Sequence, residues 1–145
     1  MNKIMIGAFA CAALTLTACG SSEPEKMTPT VTVSGIANKA TEGSKACQFH
    51  EGTVRDGAEI IMRGADNQIL GKTSLAVVDV HDAGGKRSMC VFNAEFANVP
   101  PGEAAYQVQV SGFDQVIFTE DEIRNGANIN YRDDLSAALD TLSGK

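Results

Sequence analysis

Residues Ser88 to Phe96 alternate strictly, with Cys90, Phe92, Ala94 and Phe96 on one side and Val91, Asn93 and Glu95 on the other. A period of two with one aromatic side requires a half-buried strand, because a helix would scatter those rings around its axis. The same rhythm recurs elsewhere. Tyr106, Val108 and Val110 alternate with Gln107 and Gln109, and Val31, Val33 and Gly35 alternate with Thr32 and Ser34. Ala58 to Arg63 and Gln68 to Val80 are apolar runs on either side of Gly64-Ala65-Asp66-Asn67, which is the layout of a hairpin. Gln115 to Phe118 and Ala127 to Tyr131 add two short β-prone stretches, and Val99-Pro100-Pro101-Gly102 supplies a turn after the aromatic strand. These features predict an all-β fold, an antiparallel β-sandwich of about seven short strands.

Little helix is expected. Thr119-Glu120-Asp121-Glu122 fits a capping box opening one helical turn near 120–125, which Asn125-Gly126 would end. Leu135, Ala138, Leu139 and Leu142 stand at helical spacing in a tail too short to be stable alone. Residues 37–57 and 79–87 are polar and glycine-punctuated, and are expected to be loops.

The first residues have a different character. Met1-Asn2-Lys3 is a short positive segment, and Ile4 to Ala18 carries no charge. Fifteen residues are too few for a comfortable ~20-residue membrane span. The layout is that of a secretory signal peptide, 1–18. The end of this stretch, Leu16-Thr17-Ala18-Cys19 followed by Gly20-Ser21-Ser22, resembles the lipobox of bacterial lipoproteins. That resemblance implies a diacylglyceryl thioether on Cys19, cleavage before it and frequent N-acylation. The alternative is an ordinary signal peptide beside a chance cysteine. Two or more acyl chains anchor stably where one anchors marginally. Residues 19–30, with two prolines and mostly polar side chains, read as a spacer. The expected organisation is therefore a leader at 1–18, a lipidated spacer at 19–30, a sandwich domain at 31–132 and a tail at 133–145. Once the 18-residue leader leaves the 145-residue chain, 127 residues remain, enough for one core.

The formal charge is −6, and Lys3 is the only charge in the leader, so the mature chain stands at −7. Such a surface repels phosphate backbones, which argues against nucleic acid as a partner. It also gives no help against anionic headgroups, so membrane attachment must come from lipid on Cys19. Of four cysteines, Cys11 leaves with the leader and Cys19 is lipidated. Cys47 and Cys90 remain for an oxidising compartment, where a single disulfide is expected and two free thiols are the alternative.

The stretch Phe92 to Val110, FNAEFANVPPGEAAYQVQV, resembles the F-x-F-x-x-V-P-x-G-x-x-Y-x-V-x-V segment of transthyretin-like, carboxypeptidase-regulatory-like sandwiches. The wider layout over residues 31–124 is similar to a group of small Gram-positive lipoproteins of undefined function. The resemblance implies a fold and no catalytic residue.

Chemistry-bearing patterns are sparse. Gly71-Lys72-Thr73 imitates the end of a P-loop, but the motif's first glycine would fall on Asp66. His50 and His81 lie in no zinc-ligand spacing; Glu51, Asp79 or Asp82 beside them would be needed for a metal site, and solvated loops are the simpler reading. Glu120-Asp121-Glu122 has no EF-hand loop around it and suits a helix N-terminus. Asp133-Asp134 falls in a tail where no pocket is expected. Phe92, Phe96, Tyr106 and Phe113 are read as core, not as a ligand platform. The expectation is a membrane-tethered, extracytoplasmic, non-enzymatic module with no cofactor and no metal, binding a protein or an envelope component. The alternatives are a small solute- or metal-binding lipoprotein, or an accessory subunit of an envelope enzyme or transporter. The loops at 37–57 and 79–87 are the expected contact sites.

Overall fold

A computed structural model describes residues 24–38, 40 and 43–143. Ten strands and two helices follow in the order β1 (Thr30–Asn38), β2 (Ala46–Gln48), β3 (Thr53–Arg55), β4 (Glu59–Arg63), β5 (Ile69–Ser74), β6 (Ala76–Gly84), β7 (Arg87–Glu95), β8 (Tyr106–Val110), β9 (Val116–Phe118), α1 (Glu120–Arg124), β10 (Ala127–Tyr131) and α2 (Asp134–Ser143). One sheet runs β3-β2-β1-β7-β6 with β10 also paired to β1, and the other runs β5-β4-β8-β9. The two inner faces form one core, in which Val31, Val33 and Phe92 of the first sheet face Ile60, Met62 and Val108 of the second. The chain is the all-β sandwich that its period-two rhythm predicts.

The alternation translates directly into burial. Along β7 the pattern is buried at Ser88, Cys90, Phe92 and Ala94 and half-buried between them. Phe92, Phe96, Tyr106 and Phe113 are all core residues. The hairpin at Asp66-Asn67 joins β4 to β5, with Asn67 in the left-handed region at φ 65°. Leu75, 1% exposed, is the corner at which β5 of one sheet passes into β6 of the other. Thr119 caps α1 reciprocally with Glu122, and Asn125 closes it.

Four expectations need correction. The sheets are antiparallel except for one pair, because β10 returns parallel to β1 in the register Val31↔Ala127 to Gly35↔Tyr131. Residues 37–57 are not one long loop: β1 extends to Asn38, and β2 and β3 form a small hairpin. Residues 79–87 are mostly strand, and only Gly85 and Lys86 turn between β6 and β7. Glycines with positive φ at Gly84 and Gly85 make so tight a turn possible. Finally, the ordered domain starts before Val31. Met27 exchanges hydrogen bonds with Val99 at 2.8 and 2.9 Å and is buried, so the strap at 27–29 belongs to the sandwich and not to the spacer.

The two tyrosines are both buried but differ in their hydroxyls. Tyr106 donates to the Pro100 carbonyl at 3.0 Å and accepts from the Glu103 amide at 3.4 Å, holding the proline turn onto β8. Tyr131 stacks between Phe49, at 5.5 Å, and Phe113, at 4.6 Å. Its hydroxyl has no hydrogen-bond partner among the described residues. Burial, with the nearby Glu51 and Asp114 carboxylates adding to it, pushes that hydroxyl up to about 12. Opposite effects are therefore expected from the same deletion. Tyr106→Phe should lose about 1 kcal/mol, one net hydrogen bond, whereas Tyr131→Phe should gain about 1 kcal/mol by relieving an unpaired buried hydroxyl. Urea unfolding of the two variants checks this, and equal losses would refute the assignment.

Candidate functional site

The strands place three separate stretches at one end of the sandwich. β1 starts beside the Met27–Val99 bridge and carries the chain about 26 Å to Asn38. Antiparallel pairing sets Arg87 opposite Asn38, so the β6–β7 turn lies at that far end. Parallel pairing of β10 brings Tyr131, Arg132 and the start of α2 to the same end. The loop after β2 joins them: the His50 amide donates to the Arg132 carbonyl at 2.7 Å, and the Arg132 amide donates to Glu51 Oε2 at 3.4 Å.

Asp134 is the hub of this end. Its Oδ1 lies 2.9 Å from His50 Nδ1, and its Oδ2 accepts from Asn38 Nδ2 at 2.9 Å. The His50 hydrogen bond, followed by that from Asn38, holds the Asp134 carboxyl below its ordinary value. Both members of the His50–Asp134 pair are more than half exposed, so their stabilising effect is small. Asp133 is buried, and its Oδ2 lies 3.9 Å from Arg87 Nε. Around it opens a cleft of about 500 Å³ lined by Asn38, Gly85, Lys86, Arg87, Asp133 and Asp134, among others. The expectation that Asp133-Asp134 sits in a tail without a pocket is thus overturned. Asp134, at the start of α2, is hydrogen-bonded to Asn38 and His50 on the sandwich, and the adjacent Asp133 is buried beside Arg87.

Ser88 pins the loop beyond β1 to this end. Its hydroxyl accepts from the Ala40 amide at 3.0 Å and donates to the Ala40 carbonyl at 3.1 Å. That reciprocal pair accounts for a buried serine on an otherwise apolar face.

The remaining singled-out residues fall elsewhere. His81 pairs with Asp79 at 2.7 Å on β6, while Asp82 accepts from the Gly84 amide at 2.6 Å. The structure therefore gives each histidine one aspartate and does not gather them. Among the described residues, no group of three or more His, Cys, Asp and Glu is placed to hold a metal ion. Gly71-Lys72-Thr73 lies in β5, where Lys72 pairs with Glu59 at 2.6 Å and a Cβ on Gly71 would sit 2.9 Å from the Phe96 ring. That glycine serves packing and not a phosphate. In α1, the Gly102 amide and then the Arg124 guanidinium hold Glu120 below the ordinary carboxylate range, and the Thr119 amide does the same for Glu122. Glu122 is thereby used in capping α1, and Glu120 ties the helix to the proline turn and to Arg124. Cys47 and Cys90 form the expected disulfide, with a Cα–Cα distance of 6.5 Å. Cys19 and the leader at 1–18 lie outside the described residues.

No local sequence pattern marks the whole cleft, whose walls come from distant stretches of the chain. Its one signal was Lys86-Arg87, the only adjacent pair of basic residues in a chain of net charge −6. No family model, curated protein or solved structure matches the chain.

Proposed function

We propose that this protein is a lipid-anchored, extracytoplasmic module that binds a protein or an envelope component and has no enzymatic role. The observation that carries the reading is Leu16-Thr17-Ala18-Cys19, followed by a polar stretch that enters the sandwich at Met27. Eight Cα-to-Cα steps lead from Cys19 to Met27, a span of at most ~28 Å. Acyl chains on Cys19 would hold the Met27–Val99 end near the membrane and present the far end, with its β6–β7 turn and α2, to the surroundings. Parts of the expected contact stretches, Asn38 from 37–57 and the β6–β7 turn from 79–87, lie together at that end.

Cys19→Ser tests the anchor. Radiolabelled palmitate should enter the parent protein and be absent from the variant, and the variant should move from the membrane to the soluble or secreted fraction. Equal label in the two proteins would defeat the proposal. A small-solute reading is favoured by one feature, the charged cleft at the far end.

A further inference from the structure

We infer that the Asn125-Gly126 link between α1 and β10 is a site of spontaneous covalent modification, at which Asn125 loses ammonia and becomes aspartate or isoaspartate in the folded protein. The inference rests neither on the anchor nor on the binding role.

Asn125-Gly126 is the only Asn-Gly pair in the chain. It follows from the way α1 ends. Asn125 is the C-cap, and Gly126, at φ 92°, supplies the left-handed residue that turns the chain into β10. The missing Cβ that permits this φ also leaves the Gly126 nitrogen unshielded. In the reaction that nitrogen, deprotonated by hydroxide, adds to Asn125 Cγ and closes a five-membered succinimide ring. The Cγ–Nδ2 bond breaks, and ammonia leaves with a proton taken from water. Water then opens the ring. Aspartate results if the bond from nitrogen to Cγ breaks, and isoaspartate if the bond from nitrogen to the main-chain carbonyl carbon breaks.

The fold leaves the reacting groups accessible. Both residues are exposed. The Gly126 N–H donates to the Ile123 carbonyl at 3.4 Å, longer than an ordinary amide hydrogen bond, so the nucleophile is loosely held. The Asn125 side chain donates to the Asp121 carbonyl at 2.8 Å, a neutral bond at the surface that water can replace. Asn128 and Asn130 are exposed as well, but they lie within β10, paired to β1, and the bulky Ile129 and Tyr131 follow them. Modification alters this corner. A carboxylate at 125 puts negative charge where a donor met the Asp121 carbonyl, at the end of α1 whose unpaired carbonyls disfavour it. Isoaspartate also adds one carbon to the main chain between Ile123 and Ala127, both buried, just before the Val31↔Ala127 pair that opens the parallel register.

The test incubates the intact, folded protein at neutral and mildly alkaline pH. Cleavage after glutamate then releases a peptide that begins at Ile123 and holds Asn125, Asn128 and Asn130 together. Fragment mass spectrometry should find amide converted to acid at Asn125 while Asn128 and Asn130 keep their amides. Isoaspartate-specific methylation should label the product, and the rate should rise in proportion to hydroxide. Gly126→Ala should slow the conversion about tenfold or more. Alanine is strained at φ +92°, so Asn125→Gln is the second variant. Glutamine can close only a six-membered ring and should keep its amide over the same period. The isoaspartyl fraction, once separated by its charge, should melt below the parent. The inference is overturned if Asn125 keeps its amide, if the strand asparagines convert as fast, or if both variants convert at the parent's rate. An isoaspartyl fraction that melts like the parent would overturn the structural consequence. Palmitate labelling of Cys19 is untouched by any of these results, so the two readings fail separately.

Discussion

Replacing Cys47 and Cys90 together by alanine is expected to lower the unfolding free energy by about 4 kcal/mol, the chain-entropy value for a closed loop of this size. The cross-link spans 43 residues of sequence and joins β2 to β7. Strand pairing adds little to that tie, since β2 meets β1 through the single register pair Asn38↔Gln48; the hairpin's other anchors are the buried Phe49 and Val54 and the bonds of His50 to Arg132 and Asp134. Losing the bond frees that hairpin as well as the unfolded chain. Against a typical total of 5–15 kcal/mol, 4 is a large share. The melting temperature should fall by on the order of 15 °C. Circular dichroism under non-reducing conditions measures it, and hydrogen exchange should show protection lost first over residues 46–55. A double variant within about 1 kcal/mol of the parent would show that strand packing alone secures the hairpin.

Gly35→Ala should cost at least ~3 kcal/mol, combining backbone strain with overpacking against main-chain atoms that cannot rotate away. A Cβ at Gly35 would lie 2.0 Å from the Tyr131 carbonyl oxygen and 2.8 Å from its carbon, and the residue has φ +155°. Gly35 and Tyr131 are register partners in the one parallel pairing among the described residues, so relief requires β10 to move off β1. That movement would disturb the Phe49–Tyr131–Phe113 stack and the start of α2 behind it. Gly85→Ala is the control. It also has positive φ, +68°, but nothing lies within 4 Å of the added carbon, so only about 1 kcal/mol of conformational cost is expected. Urea titration of both variants decides the matter. Equal losses would mean that backbone preference, and not the close approach of two strands, makes glycine necessary at 35.

The elements legible in the chain are those set by neighbours in sequence. Alternation at Ser88–Phe96 and Tyr106–Val110 named two strands and their buried faces, since period two follows from backbone geometry alone. Thr119 and Glu122 announced α1 because a capping box closes within four residues. The disulfide was legible because only Cys47 and Cys90 remain once Cys11 and Cys19 are assigned to the leader and the lipid. Leu16-Thr17-Ala18-Cys19 is likewise a local signal, and it carries the anchor proposal.

What the tertiary structure decided is everything that depends on which distant residues meet. Alternation says which side of a strand is buried but not which strand lies next to it, so the parallel return of β10 to β1 had no local trace. Strands of three residues, such as β2 and β3, are too short to show a period, and their stretch read as loop. The turn at Gly84-Gly85 shortened an expected loop because positive φ at two successive residues reverses the chain within the hairpin. The far-end cleft needed all of these at once. Asn38, Lys86-Arg87 and Asp133-Asp134 are dispersed over nearly a hundred positions of sequence, and each is unremarkable where it stands. Strand pairing along β1 brings them together, and the hydrogen bonds of Asp134 then turn an apparent tail into one wall of a charged site.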